Sequence, residues 1–408
     1  MTVDKNLFLH DLAVVAIIKN EGAYLKEWLD YHLLAGVDHF YLFDNDSPDN
    51  QAEVAAPYVE AGLVDYIPAP GKLMQYAVYN EAVKRFRFQC RYMAFIDADE
   101  FIFPKTNQSI VEVVDEVLSR NPNAAGLAIN FQTFGSNGHE TADLTRGVLE
   151  RFTRRAFVNW IALINNTFIA GNFYCKCIVN PRLVSVIASA HLIDCFGGLH
   201  CVNSDGVIYY EAAGKRIVAA NKIVVNHYNT KSREEFISRR LGNSTACWEE
   251  NPYGMEHFLL NDRNEEFDDG ILRYRAARAE NFSLEGDETK FKRVIETLTE
   301  ILSAFASGKN FSLETALTCR ALSNRFGLKM HEESALAALL NSWDGLSLVD
   351  GYLLIRELPK LLRLPYPAAK SLREVAFQLV EQFTVLARMN EDWQFYVELI
   401  YLQEFFKE

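Results

Sequence analysis

Along the first hundred or so residues, short apolar runs alternate with segments whose apolar positions recur at helical spacing. "AVVAIIKNE" (13–21) is β-branched, brief and bounded by charge, and predicts a buried strand. The next segment places Leu25, Trp28, Leu29 and His32 or Leu33 on one helical face, with Gly36 as its stop signal. "HFYLFDND" (39–46) predicts a second strand, "SPDN" a turn, and "QAEVAAPYVEAG" a second helix ending at Gly62. A strand at "VDYIPAP", a helix over "LMQYAVYNEAVKRFRF" and a strand at "YMAFID" complete the series. Regular alternation with short connections predicts an α/β fold with a parallel sheet.

Between 124 and 230 the pattern changes. Short runs such as "AAGLAIN", "CKCIVN", "GVIYYEA" and "KIVVNHY" are separated by Gly- and Asn-rich turns, which predicts a mixed extension of the sheet. "SREEFISRRLG" follows as a short helix. Beyond about residue 285 the chain is helical in pattern, with Phe291, Val294, Ile295, Leu298, Ile301, Leu302 and Phe305 on one stripe. The acidic segments 261–270 and 285–288 mark the expected boundary. The expected domains are therefore 1–255 for the α/β part, 256–285 for a linking segment, and 286–408 for an α-helical C-terminal domain.

Composition narrows the partners. The 408 residues carry a formal net charge of −13, which repels a nucleic-acid polymer but leaves room for a small nucleotide neutralised by a cation. Seven cysteines, with no CxxC pair, fit a reduced, cytoplasmic protein better than a disulfide framework. Cys175 and Cys177 point to one face of a strand, where burial outweighs metal binding as the expectation. No stretch approaches the ~18–20 apolar residues of a membrane span, and the start of the chain lacks a signal-peptide pattern. Association with a membrane surface stays open.

The chemistry concentrates at strand ends. In open α/β sheets ligands bind beyond the carboxyl ends of the strands. Asp44 and Asp46 follow one strand, and Asp97, Asp99 and Glu100 another. Residues 97 and 99 of an extended segment project to the same side, and two carboxylates plus phosphate oxygens suit Mg²⁺ or Mn²⁺. Gln75 and Asn80, on the preceding helix, are expected to face the same pocket or an open helix face.

Five blocks now resemble one group of proteins: "VVAIIKNEGAYLKEWLDYHLLAGVDHFYLFDNDSPDN", "MQYAVYNEAVKR…YMAFIDADEFIFP", "NFQTFGSNGHE", "KCIVNPRLV" and "VVNHYNTKSREEFISRR". In this order, across about 12–240, they resemble the family 2-like and family 92 glycosyltransferases. The resemblance implies a GT-A-like fold: a Rossmann-like mixed sheet flanked by helices. It implies transfer of a sugar from a nucleotide diphosphate sugar, such as a UDP-sugar, to a carbohydrate acceptor, with inversion, in surface polysaccharide or glycoconjugate synthesis. Mn²⁺ or Mg²⁺ would bridge the diphosphate.

Residue by residue, the resemblance puts Asp97 and Asp99 in the metal motif, Asp99 as the direct ligand and Glu100 as its support. Asp44 and Asn45 fall where base and ribose are held, and Lys19, Asn20 and Glu21 line the nucleotide pocket. A late histidine completes the metal site, His227 first, with His191 and His200 as rivals. An inverting enzyme also wants a carboxylate to take the acceptor's proton. Glu140 is the first choice, with Asp143 and Asp194 as rivals. His139 and Trp160 are the acceptor-side candidates, through a sugar hydroxyl and a sugar ring, against loop shaping and core packing. Arg154, Arg155 and Lys176 meet either phosphate or solvent.

Two other readings compete. A sugar-nucleotidyltransferase would open with a glycine- and arginine-rich loop after the first strand, which "IIKNEGAYLKEW" lacks. A non-catalytic carbohydrate-binding or scaffold protein would not need the acids at 97, 99 and 100. The C-terminal helices are open to acceptor recognition, oligomerisation or internal packing.

Overall fold

The alternating pattern folds as expected in a computed structural model, which describes residues 3–164, 167–209, 218–240, 254–274, 288–309, 311–341, 346–365, 367–389 and 393–407. Two compact units form. One comprises His10–Cys195 and Leu199–Gly286; the other comprises Met1–Leu9, Phe196–Gly198 and Asp287–Glu408.

The first unit is built on a mixed sheet. Its strands β1 (His10–Ile18), β2 (His39–Asp44), β3 (Val64–Pro68) and β4 (Cys90–Phe95) alternate with helices α1 (Gly22–Leu34), α2 (Gln51–Glu60) and α3 (Gln75–Phe86). These strands run parallel in the order β3-β2-β1-β4. After β5 (Glu100–Pro104) and α4 (Ile110–Ser119), strand β6 (Ala124–Thr133) extends the same sheet. The short elements α5 (Val148–Arg151), β7 (Arg154–Arg155), β8 (Ile161–Ile164) and β9 (Thr167–Gly171) lead into β10 (Cys175–Val179). Strand β10 is antiparallel to both β4 and β6. The ribbon of β11 (Val184–Val186) and β12 (Asp194–Cys195), then β13 (His200–Val202), precede β14 (Ile223–His227), which is parallel to β6 and antiparallel to β5. This is the GT-A-like arrangement that the resemblance implies.

Alternation of side chains along β1 explains the layering. Leu12, Val14, Ala16 and Ile18 enter the core beneath α1, α2 and α4, while Ala13, Val15 and Ile17 enter the core beneath α3. Both faces are covered, so β1 is apolar from Leu12 to Ile18. Of the later runs expected as strands, 206–212 contributes an isolated bridge between Val202 and Ile208, and its part from 210 lies outside the described residues.

Helix α1 is tied to β5 by three side chains from its predicted buried face and the residue beside it. Trp28 donates its indole N–H to the Glu100 carbonyl (2.8 Å), and the Tyr31 hydroxyl donates to the Ile102 carbonyl (2.8 Å). His32 Nδ1 lies 2.9 Å from the Trp28 carbonyl, and its Nε2 lies 3.2 Å from the Ile102 amide. A carbonyl only accepts, so Nδ1 carries the proton and Nε2 takes the Ile102 N–H.

The acidic stretch 261–270, expected at a boundary, is instead integral to this unit. After α6 (Arg233–Arg240) and α7 (Met255–Asn261), strand β15 (Glu266–Phe267) pairs with β7. Arg155 is ion-paired with both Glu266 and Asp268, and Asp262 accepts the Ser136 amide at 2.6 Å. These acids are partnered rather than solvated, so this stretch belongs to the α/β unit, and the two units divide between Gly286 and Asp287. The second acidic segment, 285–288, lies outside the described residues up to 287.

The other unit is helical over 288–306, 313–325, 329–341, 348–361, 367–389 and 393–407. Its core joins Val294, Leu298 and Leu302 of the expected stripe to Leu7, Leu9, Cys319, Leu322 and Ala335. Phe291, read as part of that stripe, is half exposed and meets Phe326 edge-on. Residues 3–9, read with the α/β part, pack here. Among the described residues, no helix is long and apolar enough to cross a membrane.

Candidate active site

Strands β1, β2, β4, β6 and β14 all point the same way, so their carboxyl ends share one edge of the sheet. There the chain turns after β4. The Glu100 amide donates to the Asp97 carbonyl (3.1 Å), and the Asp97 amide donates to Glu100 Oε2 (2.9 Å). This turn separates the three acids. Asp97 accepts from Gln75 Nε2 (3.0 Å), from the Tyr79 hydroxyl (3.3 Å) and from Lys176 Nζ (2.9 Å). Asp99 and Glu100 turn instead toward His227, whose Nε2 lies 3.7 Å from Asp99 Oδ1 and 3.9 Å from Glu100 Oε1.

Sheet register makes this convergence. His227 is the last residue of β14 and sits opposite Glu100, the first residue of β5. The Tyr228 amide donates to the Asp99 carbonyl (2.9 Å), and Trp28 holds the Glu100 carbonyl from the other side. One ligand atom from each of Asp99, Glu100 and His227 lies within 4.8 Å of the others. Two carboxylate oxygens and an imidazole nitrogen at that spacing suit a divalent cation such as Mn²⁺. Asp97, expected beside Asp99 as a ligand, is thus engaged by Lys176, while Glu100 takes the place beside Asp99.

Electrostatics fits this division. Burial pushes the Glu100 carboxyl well above the usual range, against the pull of Lys176. Lys176 is just as buried. Burial works against its charge, but Asp97 and Glu100 outweigh it and keep the ammonium charged. Lys176 Nζ also lies 3.4 Å from Glu100 Oε2. Its expected alternatives, phosphate or solvent, give way to this internal ion pair. Arg155 is likewise paired within the fold, and the exposed Arg154 donates to the Asn264 carbonyl (3.2 Å).

Gln75 reaches the site and Asn80 does not. Five residues at 100° each put them about 140° apart on α3. Asn80 instead bonds the Ile187 backbone through both ends of its amide (2.8 and 3.0 Å). The residue sharing the face of Gln75 is Tyr79, four positions on, a signal readable from the sequence.

At the neighbouring strand ends the expected nucleotide-side residues shape the turns. Asn20 has φ +59° and donates its amide to Ser47 Oγ (2.8 Å), while Lys19 beside it is half-buried. Asp44 Oδ1 accepts from Gln51 Nε2 (2.8 Å), and Asn45 Nδ2 donates to the carbonyls of Ala69 and Gly71 (2.8 Å each). Glu21 is buried and ion-paired with Arg239. Tyr24 lies within reach of two cations, Lys231 Nζ at 4.7 Å and Arg239 Cζ at 4.9 Å from its ring centre. Behind them Arg151 and Glu235 form a buried bidentate pair (2.8 and 2.9 Å) that also takes the Tyr24 hydroxyl (3.0 Å). Sequence reasoning missed Arg239, Tyr24, Arg151 and Glu235, because only nonlocal packing brings α1, α5 and α6 together.

The glycine loop after β6 stands next to this edge, since the Phe134 amide donates to the His227 carbonyl (3.0 Å). A Cβ on Gly135 would lie 2.5 Å from the Arg263 carbonyl, so only glycine lets the two segments approach this closely. His139 Nε2 bonds the Arg151 carbonyl (3.2 Å), which gives it a loop-shaping part. The Glu140 side chain is 72% exposed and lies 3.3 Å from Arg233. Asp143 is exposed and bonded by the Thr145 hydroxyl (2.5 Å), which lowers its carboxyl below the usual range. Asp194 is on the separate β11–β12 ribbon, where burial raises it.

Of the rival histidines, His191 bonds the Cys175 carbonyl (3.1 Å), and burial lowers it to about 4. His200 starts β13. Cys175 and Cys177 are buried, each donating its thiol toward the His191 carbonyl (2.8 and 3.4 Å).

Comparison with known proteins identifies the family. Residues 15–267 match the family model described as glycosyltransferase family 92. A glycosyltransferase family 92 protein of Ricinus communis is 25% identical over 244 residues, covering 59% of this chain and 40% of its own. One from Oryza sativa is 26% identical over 251 residues, covering 59% and 37%. The chain thus spans about two fifths of the length of these curated relatives. A galactan β-1,4-galactosyltransferase of Arabidopsis thaliana is 30% identical over 100 residues, 22% of this chain and 19% of its own. Among solved structures, S. aureus TarS 1–349 in complex with UDP covers 87% of this chain and 93% of its own, with 13% identity and a TM-score of 0.28. With the family model covering more than half of the chain, this protein belongs to glycosyltransferase family 92.

Proposed function

We propose that this protein transfers a sugar from a UDP-sugar to a hydroxyl of a carbohydrate acceptor, with inversion, using a divalent cation held by Asp99, Glu100 and His227. The observation that carries this reading is the approach of those three side chains within 4.8 Å at the carboxyl edge of the sheet, inside the family-92 segment. When bound, Mn²⁺ or Mg²⁺ would draw off the negative charge that gathers on a departing diphosphate.

The chain's own residues supply the rest. Asp97, held by Gln75, Tyr79 and Lys176, keeps a side chain 37% exposed with which to meet the ribose. Asp44, Asn45 and the 19–21 turn form the base side of the pocket. Glu140, on the glycine loop, is assigned the acceptor proton, with Asp143 as the alternative carboxylate. Because two curated relatives are named galactan β-1,4-galactosyltransferases, UDP-galactose and a β-1,4-galacto-oligosaccharide are the first substrates to test. Synthesis of a surface polysaccharide in the cytoplasm, at or near a membrane, fits such an acceptor.

Calorimetry with UDP is the direct test. Binding is expected with Mn²⁺ present and at least about tenfold weaker after chelation, a difference of ~1.4 kcal/mol. No binding under either condition would sink both the transferase and the cation site. Glu140→Gln is expected to lower turnover by about a hundredfold while UDP affinity stays the same. Unchanged turnover would move the base elsewhere.

A further inference from the structure

The turn that carries Trp160 is locked to the end of β6, the strand whose last residue lies beside His227 in the sheet. Thr133 pairs with His227 in that register. Its carbonyl accepts the Ala156 amide (2.9 Å), and its amide donates to Asn172 Oδ1 (3.0 Å). The fully buried Asn172 then donates Nδ2 to the carbonyls of Phe157 (3.0 Å) and Val158 (3.2 Å), and its own amide donates to the Trp160 carbonyl (3.0 Å). Trp160 closes the turn through its amide to the Phe157 carbonyl (2.9 Å).

A second segment reaches the same place. Arg263, on the stretch that packs against Gly135, sets its guanidinium 5.3 Å from the centre of the Trp160 ring and is ion-paired with Glu265. A guanidinium over an indole fixes the ring plane. The Glu265 side chain is partly exposed, but its Oε2 is itself shielded from water and has no hydrogen-bond partner among the described residues. An acceptor oxygen in that state is costly unless a donor arrives. Phe157, on the same turn, is 56% exposed. The group therefore joins an oriented aromatic ring, an apolar shoulder and a carboxylate wanting a hydroxyl donor. That is the chemistry that recognises a pyranose, with its apolar C–H face and its hydroxyl rim.

We infer that Phe157, Trp160, Arg263 and Glu265 form the acceptor subsite, with a sugar ring packed on Trp160 and Phe157 and its hydroxyls bonded to Glu265. This rests on the transferase reading for its connection to catalysis, but sugar binding at the turn can be tested without it. Trp160 and Glu265 are positioning residues here. They hold the acceptor and do not touch the transferring bond.

The test uses the full chain, a β-1,4-galacto-oligosaccharide and UDP with Mn²⁺. Saturation-transfer NMR measures oligosaccharide binding directly, and calorimetry measures UDP binding. In Trp160→Ala and Glu265→Gln, the oligosaccharide Kd and the acceptor KM are expected to rise by about tenfold or more, with UDP affinity unchanged within about twofold. Trp160→Phe should recover part of the loss, which a merely structural role would not produce. If Trp160→Ala stays folded and binds the oligosaccharide like the parent, the subsite is overturned. Absence of oligosaccharide binding by the parent, with or without UDP, overturns it as well. If the oligosaccharide binds through Trp160 but UDP does not bind at all, the subsite stands and the transferase reading falls.

Discussion

Asp99→Asn is expected to cut transfer by about a thousandfold, a loss of ~4 kcal/mol in transition-state stabilisation. The substitution preserves shape, and it leaves the Asp99 backbone carbonyl free to accept the Tyr228 amide as before. What it removes is one of the two carboxylates of the proposed cation site, on a residue only 5% exposed and therefore poorly replaced by water. UDP affinity should fall sharply with Mn²⁺ present and scarcely change with Mn²⁺ chelated. Asp97→Asn makes the instructive comparison. Asp97 is occupied by Lys176, Gln75 and Tyr79, so its loss should weaken UDP binding with and without Mn²⁺. Steady-state kinetics paired with calorimetry separates the two. An Asp99→Asn enzyme keeping a tenth or more of its turnover would remove the residue from the cation site.

Acidification should destabilise the fold through His32. This imidazole is fully buried and bonded at both nitrogens, and burial lowers it from 6.5 to about 3. The native state therefore refuses a proton that the unfolded chain accepts once the pH drops below about 6.5. Above that value both states are neutral and the group costs nothing. Below it, stability is lost at up to ~1.4 kcal/mol per pH step, reaching about 5 kcal/mol near pH 3. That is a large part of a typical domain's stability. Urea unfolding across this window should show the slope, and His32→Leu should flatten it. The variant starts lower at neutral pH, by about 1–3 kcal/mol, because the Ile102 amide loses its acceptor. Equal slopes in parent and variant would mean that His32 titrates normally.

Much of this molecule could be read before it was seen. All four positions placed on α1's inner face are fully buried: Leu25, Trp28, Leu29 and, of the tied pair His32 and Leu33, His32. The periodicity worked because both faces of the sheet are covered and the apolar pattern has little freedom. His227 was singled out only through its resemblance block, and the structure sets it beside Asp99 and Glu100; a lone histidine at a strand end carries no signal of its own.

The pairing of Asp97 with Asp99 failed for a definite reason. Two residues apart share a side only while the chain stays extended, and here it turns at once, sending Asp97 to Lys176 and Glu100 to His227. Lys176 could not be assigned because β10 reaches β4 only by a long excursion through β6–β9. Of the two acid runs, 261–270 is claimed by Arg155 and the 134–137 loop, whereas 285–288 spans the division between the two units.

The bonds from Trp28, Tyr31 and His32 to β5 have a consequence for how the site can move. They attach the backbone that presents Glu100 to one of the most deeply buried helices of the unit. Fraying of this strand on its own would break three side-chain bonds at once, so the acidic tip opens only when the α/β unit as a whole opens. Accommodation of different substrates must then be supplied by the exposed loops around the tip, while the corner of Asp99, Glu100 and His227 stays as stiff as the core.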